Sequence, residues 1–175
     1  MESTKPISHI VAGLIIAGIV IVLSMVMMMV AKGAAGSPGS GWITYLVIIG
    51  GLVFFINQYG KWHNYHTSFG DLFSYGFKAT TVYTVLFVGF LILFSLIFPD
   101  FKSNAMEAAR MQMETQKGIN EDQIEKSLQI ADKYFWVLAI GGTMLGFVVI
   151  GAIGSLIGAA VTKKRPHNPF EQQPQ

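Results

Sequence analysis

The sequence predicts an all-α integral membrane protein, a four-helix bundle with an extramembrane amphipathic helical segment between helices three and four. Of its 175 residues, 52% are hydrophobic and only 13% are charged, whereas ordinary soluble domains carry about 25% charged residues. The mean hydropathy is +0.50. Four stretches are also long enough to cross the roughly 30 Å hydrocarbon core of a bilayer, which takes about 20 apolar residues in a helix.

The four predicted spans differ in their charges and in their ends. The first carries no charged residue, the second ends in the polar pair Asn57 and Gln58, and the third carries one charge, Lys78. The fourth is followed at once by a basic run at residues 163–165. We place the spans at about residues 10–31, 42–59, 73–98 and 134–162, within one transmembrane domain of residues 1–162.

The links between the first three spans predict close helical neighbours. Residues 33–41 (GAAGSPGSG) are short and flexible, which favours an antiparallel pair of helices. Residues 60–70 form a polar, aromatic link. Within it, Ser68 and Asp71 have the spacing of a capping box, in which each side chain accepts from the backbone amide of the other. We therefore expect the third helix to begin near Phe69.

The third link, residues 99–133, is predicted to be helical and extramembrane. Apolar residues recur at helical spacing on both sides of Gly118, and Asn120 with Gln123 marks a new helix start. These features predict a bent helical hairpin or a helix that lies on the membrane. The basic tail, residues 163–175, holds three prolines and is predicted to be disordered and cytoplasmic.

Basic residues near the span ends predict the orientation, because cytoplasmic loops carry an excess of Lys and Arg. Six lie on the side of the two termini, among them Lys5 and Lys61, and three lie close to the spans on the other side. The long link on that other side is net acidic, with seven Asp or Glu and five Lys or Arg. We expect both termini in the cytoplasm and residues 99–133 outside.

His63, His66 and Asp71 are the candidate metal ligands. Two His three residues apart can share one face of a helix, and a carboxylate would complete a set that binds Zn²⁺ or a related ion. They fall in a link bounded by Gly60 and Gly70, where helical geometry is not assured, and Asp71 already serves the cap. A solvated interfacial loop is the favoured interpretation, so we expect no metal and no cofactor, with the metal site as the alternative.

Lys78 is the one charge that falls inside an apolar span of the sequence. A charge at membrane depth indicates function by default. However, Lys78 lies within about two turns of the predicted helix start, where its stem can carry the ammonium group to the lipid head groups. We expect this interfacial position, with a place in a transport path as the alternative.

Glycines in the fourth span form two pairs at small-xxx-small spacing, Gly142 with Gly146 and Gly154 with Gly158. Such pairs let two helix backbones approach closely, so that dispersion and weak hydrogen bonds drive association in lipid. We predict packing against other helices of the same chain. A homodimer seam is the alternative.

The composition argues against several function classes. The chain has no cysteine, and therefore no disulfide, thiolate nucleophile or thiolate metal site. A net charge of +2 without a basic face argues against nucleic acid as a partner. No nucleophile–base pair, phosphate loop or pair of carboxylates lies at membrane depth.

We predict a non-enzymatic protein that packs in the lipid bilayer or binds a partner, either as a homo-oligomer or with another membrane protein. The alternative is a transporter or channel subunit. Four spans would have to oligomerise to enclose a path, and the middles of these spans hold few polar residues.

Several stretches resemble a known family. They are residues 68–73 (SFGDLF), 75–78 (YGFK) and 98–101 (FPDF), with the Met- and Gln-rich acidic link and the basic end of the fourth span. They are similar to those of the small four-span proteins of Bacteroidetes known as domain of unknown function four-one-nine-nine, and cover most of the chain from the second span onward. The resemblance implies a Gram-negative inner-membrane location. It implies no activity and carries over no functional residue.

Overall fold

The regular structure is entirely α-helical in the part of the chain that the structure describes, residues 6–30, 41–116 and 118–165 of a computed structural model. The six helices are α1 (His9–Val30), α2 (Gly41–Trp62), α3 (Phe69–Ile97), α4 (Phe101–Glu114), α5 (Glu121–Lys133) and α6 (Phe135–Val161). The all-α fold class is therefore confirmed for these residues.

Four of these helices, α1, α2, α3 and α6, are long and apolar enough to span a membrane. α1 and α2 have 22 residues each, which is about 33 Å at a rise of 1.5 Å per residue. α3 and α6 are longer, with 29 and 27 residues. α3 begins at Phe69, as its predicted capping box indicates, one turn before the predicted span.

Three of the sequence-based expectations fall wholly or partly on residues that lie outside the described ones. These are the end of the first predicted span at residue 31, nearly all of the flexible link 33–41, and the tail beyond residue 165.

The four long helices lie side by side with alternating directions. α1 and α6 each contact both α2 and α3, and α2 also contacts α3. α1 runs parallel to α3, since Ile7 lies beside Tyr75 and Gly13 lies beside Ala79. We call the end where α1 begins and α6 ends the termini end. The opposite end, which leads into α4 and α5, is the hairpin end.

Glycines let α2, α3 and α6 approach each other closely. A Cβ on Gly76 of α3 would lie 2.6 Å from Ile56 Cδ1 and 2.7 Å from Ser155 Oγ. A Cβ on Gly151 of α6 would collide with the Thr80 side chain. Only glycine fits these two positions, and the close backbone contact provides the dispersion that holds helices together in lipid.

Two predicted helix starts are confirmed by their caps. Ser68 Oγ accepts from the Asp71 amide at 3.1 Å, and the Asp71 carboxylate accepts from the Ser68 amide at 3.0 Å, which completes the capping box of α3. Asn120 and Gln123 form the same reciprocal pair at the start of α5. Gly118, the predicted break, has a φ of 97°, a left-handed backbone that favours glycine.

α4 and α5 contact each other and form an antiparallel hairpin, named here the α4–α5 hairpin. Lys102 Nζ lies 2.8 Å from Asp132 Oδ1, and the Arg110 guanidinium contacts both Glu114 and Glu121. The hydrogen bond with Glu114 raises the pKa of Arg110, a side chain that is charged at physiological pH in any protein. These pairs are exposed, so they orient the two helices more than they stabilise them.

The loop between α2 and α3 is attached to the end of α6. Asn64 and Tyr65 have φ values of 51° and 64°, and a left-handed conformation costs about 1–2 kcal/mol at a residue other than glycine. The Tyr65 amide donates to the Gly60 carbonyl at 2.8 Å, and the Tyr65 carbonyl accepts from the Arg165 amide at 2.9 Å. These bonds hold the turn from which α3 begins.

Candidate functional site

A cleft opens at the termini end, where α1 begins, α2 ends and α3 begins. Its volume is about 250 Å³. Most of its lining side chains are polar or titratable, and we call it the polar cleft. It is lined by Pro6, Ile7, Ser8, His9, Tyr59, Asp71, Ser74, Tyr75 and Lys78.

Stacked aromatic rings form one wall of the polar cleft. The ring centroids of Tyr59 and Tyr75 lie 4.4 Å apart at an interplanar angle of 20°. His9 meets the Tyr75 ring edge-on, with the centroids 6.5 Å apart. The Tyr75 hydroxyl donates to the Ile7 carbonyl at 2.9 Å. Tyr75 therefore joins the end of α2 and the start of α1 to α3, which fixes the shape of the cleft.

α3 supplies the charged wall of the polar cleft. Asp71, Tyr75 and Lys78 are four and three residues apart, so they lie on one face of the helix. Asp71 and Lys78 are both exposed, and seven residues of helix separate them by about 10 Å along the axis. His9 lies beside Tyr75, so Lys78 is level with the first turn of α1. Asp71 lies about two turns farther out, in the first turn of α3.

The three candidate metal ligands have other neighbours. His63 Nδ1 lies 2.9 Å from the Tyr59 carbonyl oxygen, and the Asp71 carboxylate accepts from the amide and the hydroxyl of Ser68. His63 and His66 are exposed. Among residues 6–30, 41–116 and 118–165, no group of three or more His, Cys, Asp or Glu side chains is arranged to hold a metal ion. The structure thus does not bring these three residues together as a ligand set.

The four glycines that the sequence singles out in α6 have two kinds of surroundings. Gly154 and Gly158 lie against α2, where a Cβ would be 2.9 Å and 2.5 Å from the nearest side-chain atoms. A Cβ on Gly142 or Gly146 would have no atom of another described element within 4 Å. The same spacing therefore serves close packing in one pair and leaves open space beside the other.

Gly142 and Gly146 line a second cavity, of about 380 Å³, which we call the hairpin-end cavity. All four long helices contribute to it, and several of the side chains carry hydroxyl groups. The other lining residues are Ser24, Gly41, Thr44, Tyr45, Phe87, Thr143 and Phe147. Between this cavity and the polar cleft, the helices pack through buried apolar side chains such as Ile16, Ile48 and Leu52.

Sequence reasoning missed His9, Tyr59 and Tyr75 as parts of one site. The contact between Ile7 and Tyr75 joins residues 68 positions apart, and it depends on how α1 and α3 are rotated about their axes. A local signal was present on α3 alone, because the spacing of Asp71, Tyr75 and Lys78 puts three polar side chains on one face of its first turns.

Comparison with known proteins gives one result. The model of a family described as "Protein of unknown function (DUF4199)" matches residues 12–164. No curated protein and no solved structure matched the chain. The match takes in most of α1 and all of α2–α6, and it confirms the family resemblance drawn from residues 68–73 and their neighbours. The chain therefore belongs to the DUF4199 family of proteins of unknown function.

Proposed function

We propose that the protein is a non-enzymatic, multi-pass membrane protein that binds a membrane-embedded partner along α5 and α6. The observation that carries this proposal is an exposed apolar stripe, Ile130, Tyr134 and Val137, spaced by four and three residues. These side chains are 60%, 48% and 71% exposed. The stripe begins on the α4–α5 hairpin, beyond the apolar span, and continues onto α6. A partner that is embedded in the membrane and also extends beyond it would cover both parts of the stripe.

The α4–α5 hairpin has the internal support that a recognition surface needs. Ile124 is buried in it, and the bonds of Lys102 to Asp132 and of Arg110 to Glu121 cross between its two helices. A hairpin that is ordered before binding loses less conformational entropy when a partner binds.

A photo-crosslinking side chain at Ile130 tests the proposal in native membranes. The matched control is Val85 of α3, which is 61% exposed in the middle of a span. We expect one discrete adduct from Ile130 and only diffuse lipid products from Val85. The mass of the adduct identifies the size of the partner. If the partner is a second copy of the chain, the mass also shifts when a copy with a larger tag is co-expressed. An unchanged mass indicates a different membrane protein. Equal patterns from the two positions would contradict partner binding at the stripe.

The location that we propose is the inner membrane of a Gram-negative bacterium, with the four long helices as a transmembrane bundle. Both termini would lie in the cytoplasm and the α4–α5 hairpin outside. The family resemblance supports the membrane, and the excess of Lys and Arg at the termini end supports the orientation.

A non-enzymatic role is supported by the bonds that two titratable groups at the termini end make within the chain. The Asp71 carboxylate accepts two bonds from Ser68 on Oδ2, and Nδ1 of His63 lies against the Tyr59 carbonyl. A general base has to be aimed at a substrate proton. Here one polar atom of each group serves the local structure, in the cap of α3 and at the end of α2.

A transporter subunit is the second candidate, because the polar cleft and the hairpin-end cavity lie at opposite ends of the same helices. Flux across proteoliposomes tests it. Transport that is present in the native chain and lost in Lys78→Met would favour this function. Equal and negligible leak from both would leave partner binding as the role.

A further inference from the structure

The polar cleft holds two opposite charges that do not neutralise each other. Asp71 and Lys78 lie on the same face of α3, about 10 Å apart along the axis. Among the described residues, neither side chain has an ion-pair partner within 4 Å. Both hydrogen bonds from Ser68 end on Oδ2 of Asp71, so its Oδ1 is available to a cation.

The order of these charges along the helix has a chemical counterpart. Lys78 is level with the first turn of α1, and Asp71 lies about two turns farther from the middle of the helices, beside the start of α3. In an aminophospholipid the phosphate is attached to the glycerol, next to the hydrocarbon, and the ammonium group lies at the outer end of the head group. Phosphate and ammonium therefore follow each other in the same order as Lys78 and Asp71.

Other features of the polar cleft favour the same arrangement. Residues Pro6–His9 line the cleft at the start of α1, so the positive end of the dipole of this 22-residue helix adds to the charge of Lys78. The cleft has a volume of about 250 Å³. It suits a head group whose acyl chains stay in the bilayer.

We infer that the polar cleft binds the head group of a zwitterionic aminophospholipid, with its phosphate at Lys78 and its ammonium at Asp71. An anionic phospholipid would place no cation at Asp71 and would be repelled by it. The site is independent of whatever binds along the stripe of Ile130, because it lies at the other end of the helices.

Native mass spectrometry of the full chain tests this inference. The protein is released from nanodiscs that contain equal amounts of phosphatidylethanolamine, phosphatidylglycerol and phosphatidylcholine, and the retained lipids are counted. We expect retained phosphatidylethanolamine to be enriched about fivefold over phosphatidylglycerol, the change that corresponds to one exposed ion pair. Retained lipid in the bulk proportions would overturn the inference.

Substitutions assign the two charges separately. Lys78→Gln is expected to lower the retention of every phospholipid, and Lys78→Arg to restore it, whereas Lys61→Gln, on the last turn of α2 and outside the cleft, leaves it unchanged. Asp71→Asn is expected to remove the preference for phosphatidylethanolamine over phosphatidylglycerol. Ser68→Ala is its control, because it removes the cap and keeps the charge. Equal effects of Lys78→Gln and Lys61→Gln, or of Asp71→Asn and Ser68→Ala, would overturn the assignment.

A competition measurement separates a lipid from a free anion. Inorganic phosphate and glycerophosphoethanolamine, the head group without acyl chains, are titrated against the lipid-bound protein in detergent. Displacement by glycerophosphoethanolamine at a lower concentration than inorganic phosphate would support the inference. Equal displacement by the two would assign the site to a free phosphate and overturn the lipid assignment.

Discussion

The Tyr83 hydroxyl of α3 donates a hydrogen bond to the Phe147 carbonyl oxygen of α6 at 3.0 Å, and the rings of the two residues meet edge-on with centroids 5.7 Å apart. Both residues are buried. The bond lies one turn from Gly151, whose missing side chain leaves room for the Tyr83 hydroxyl. The contact between α3 and α6 thus combines a polar bond with close backbone packing, the two interactions that hold helices together in lipid.

Tyr83→Phe is expected to lower the free energy of unfolding by about 1 kcal/mol, because it keeps the ring and removes the donor to a buried carbonyl. Unfolding in mixed detergent micelles, followed by circular dichroism, measures the change. Tyr45→Phe is the matched control, since Tyr45 is 41% exposed at the hairpin-end cavity. Equal changes in the two variants would contradict a structural role of the bond.

Gly151→Ala is expected to destabilise the protein by about 1–3 kcal/mol, because its methyl group would collide with Thr80 and approach the Tyr83 hydroxyl. Gly142→Ala is the matched control on the same helix. Its methyl group enters open space, and alanine is favoured over glycine in a helix by up to about 1 kcal/mol. The same unfolding measurement should therefore give changes of opposite sign. A loss of stability in Gly142→Ala would show that this position is packed after all, for instance against a second copy.

These two glycines also show where sequence reasoning reaches its limit. Spacing selects Gly142 with Gly146 and Gly154 with Gly158 equally, yet it does not say which side of α6 faces a neighbour. Gly151 belongs to neither of these glycine pairs, and it is nevertheless in tight contact. Which glycines of α6 contact a neighbouring helix depends on how α6 is rotated about its axis, and packing along the whole helix sets this rotation.

Local features were predictable because they depend on residues that are close together in the sequence. The capping boxes at Ser68 and Asn120 are confirmed because each involves residues three apart, whose geometry the chain itself determines. Long apolar runs likewise predict membrane-spanning helices from length and composition alone. The polar cleft needs contacts between α1, α2 and α3, such as that of His9 with Tyr75, and no local pattern specifies them.

Asn120→Ala is expected to destabilise α5 by about 1 kcal/mol, because it removes the oxygen that accepts from the Gln123 amide. Hydrogen exchange of the α5 amides, measured in detergent, should become roughly fivefold faster. Asn104→Ala in α4 is the control, since Asn104 is exposed and caps no helix. If α5 exchanged at the same rate in both variants, the ion pairs of the α4–α5 hairpin and not the cap would hold its first turn.

The orientation in the membrane can be tested by labelling single introduced cysteines, because the chain has no cysteine of its own that would react. Single cysteines at Ser127 on α5 and at Lys163 after α6 are both exposed and lie at opposite ends of the long helices. A membrane-impermeant maleimide added to intact spheroplasts should label Ser127→Cys and should reach Lys163→Cys only after the membrane is broken. This result is expected because the excess of Lys and Arg at the termini end favours a cytoplasmic position for that end. If only Lys163→Cys were labelled in intact cells, the protein would have the opposite orientation. The polar cleft would then face the outer leaflet, and the α4–α5 hairpin would meet cytoplasmic partners.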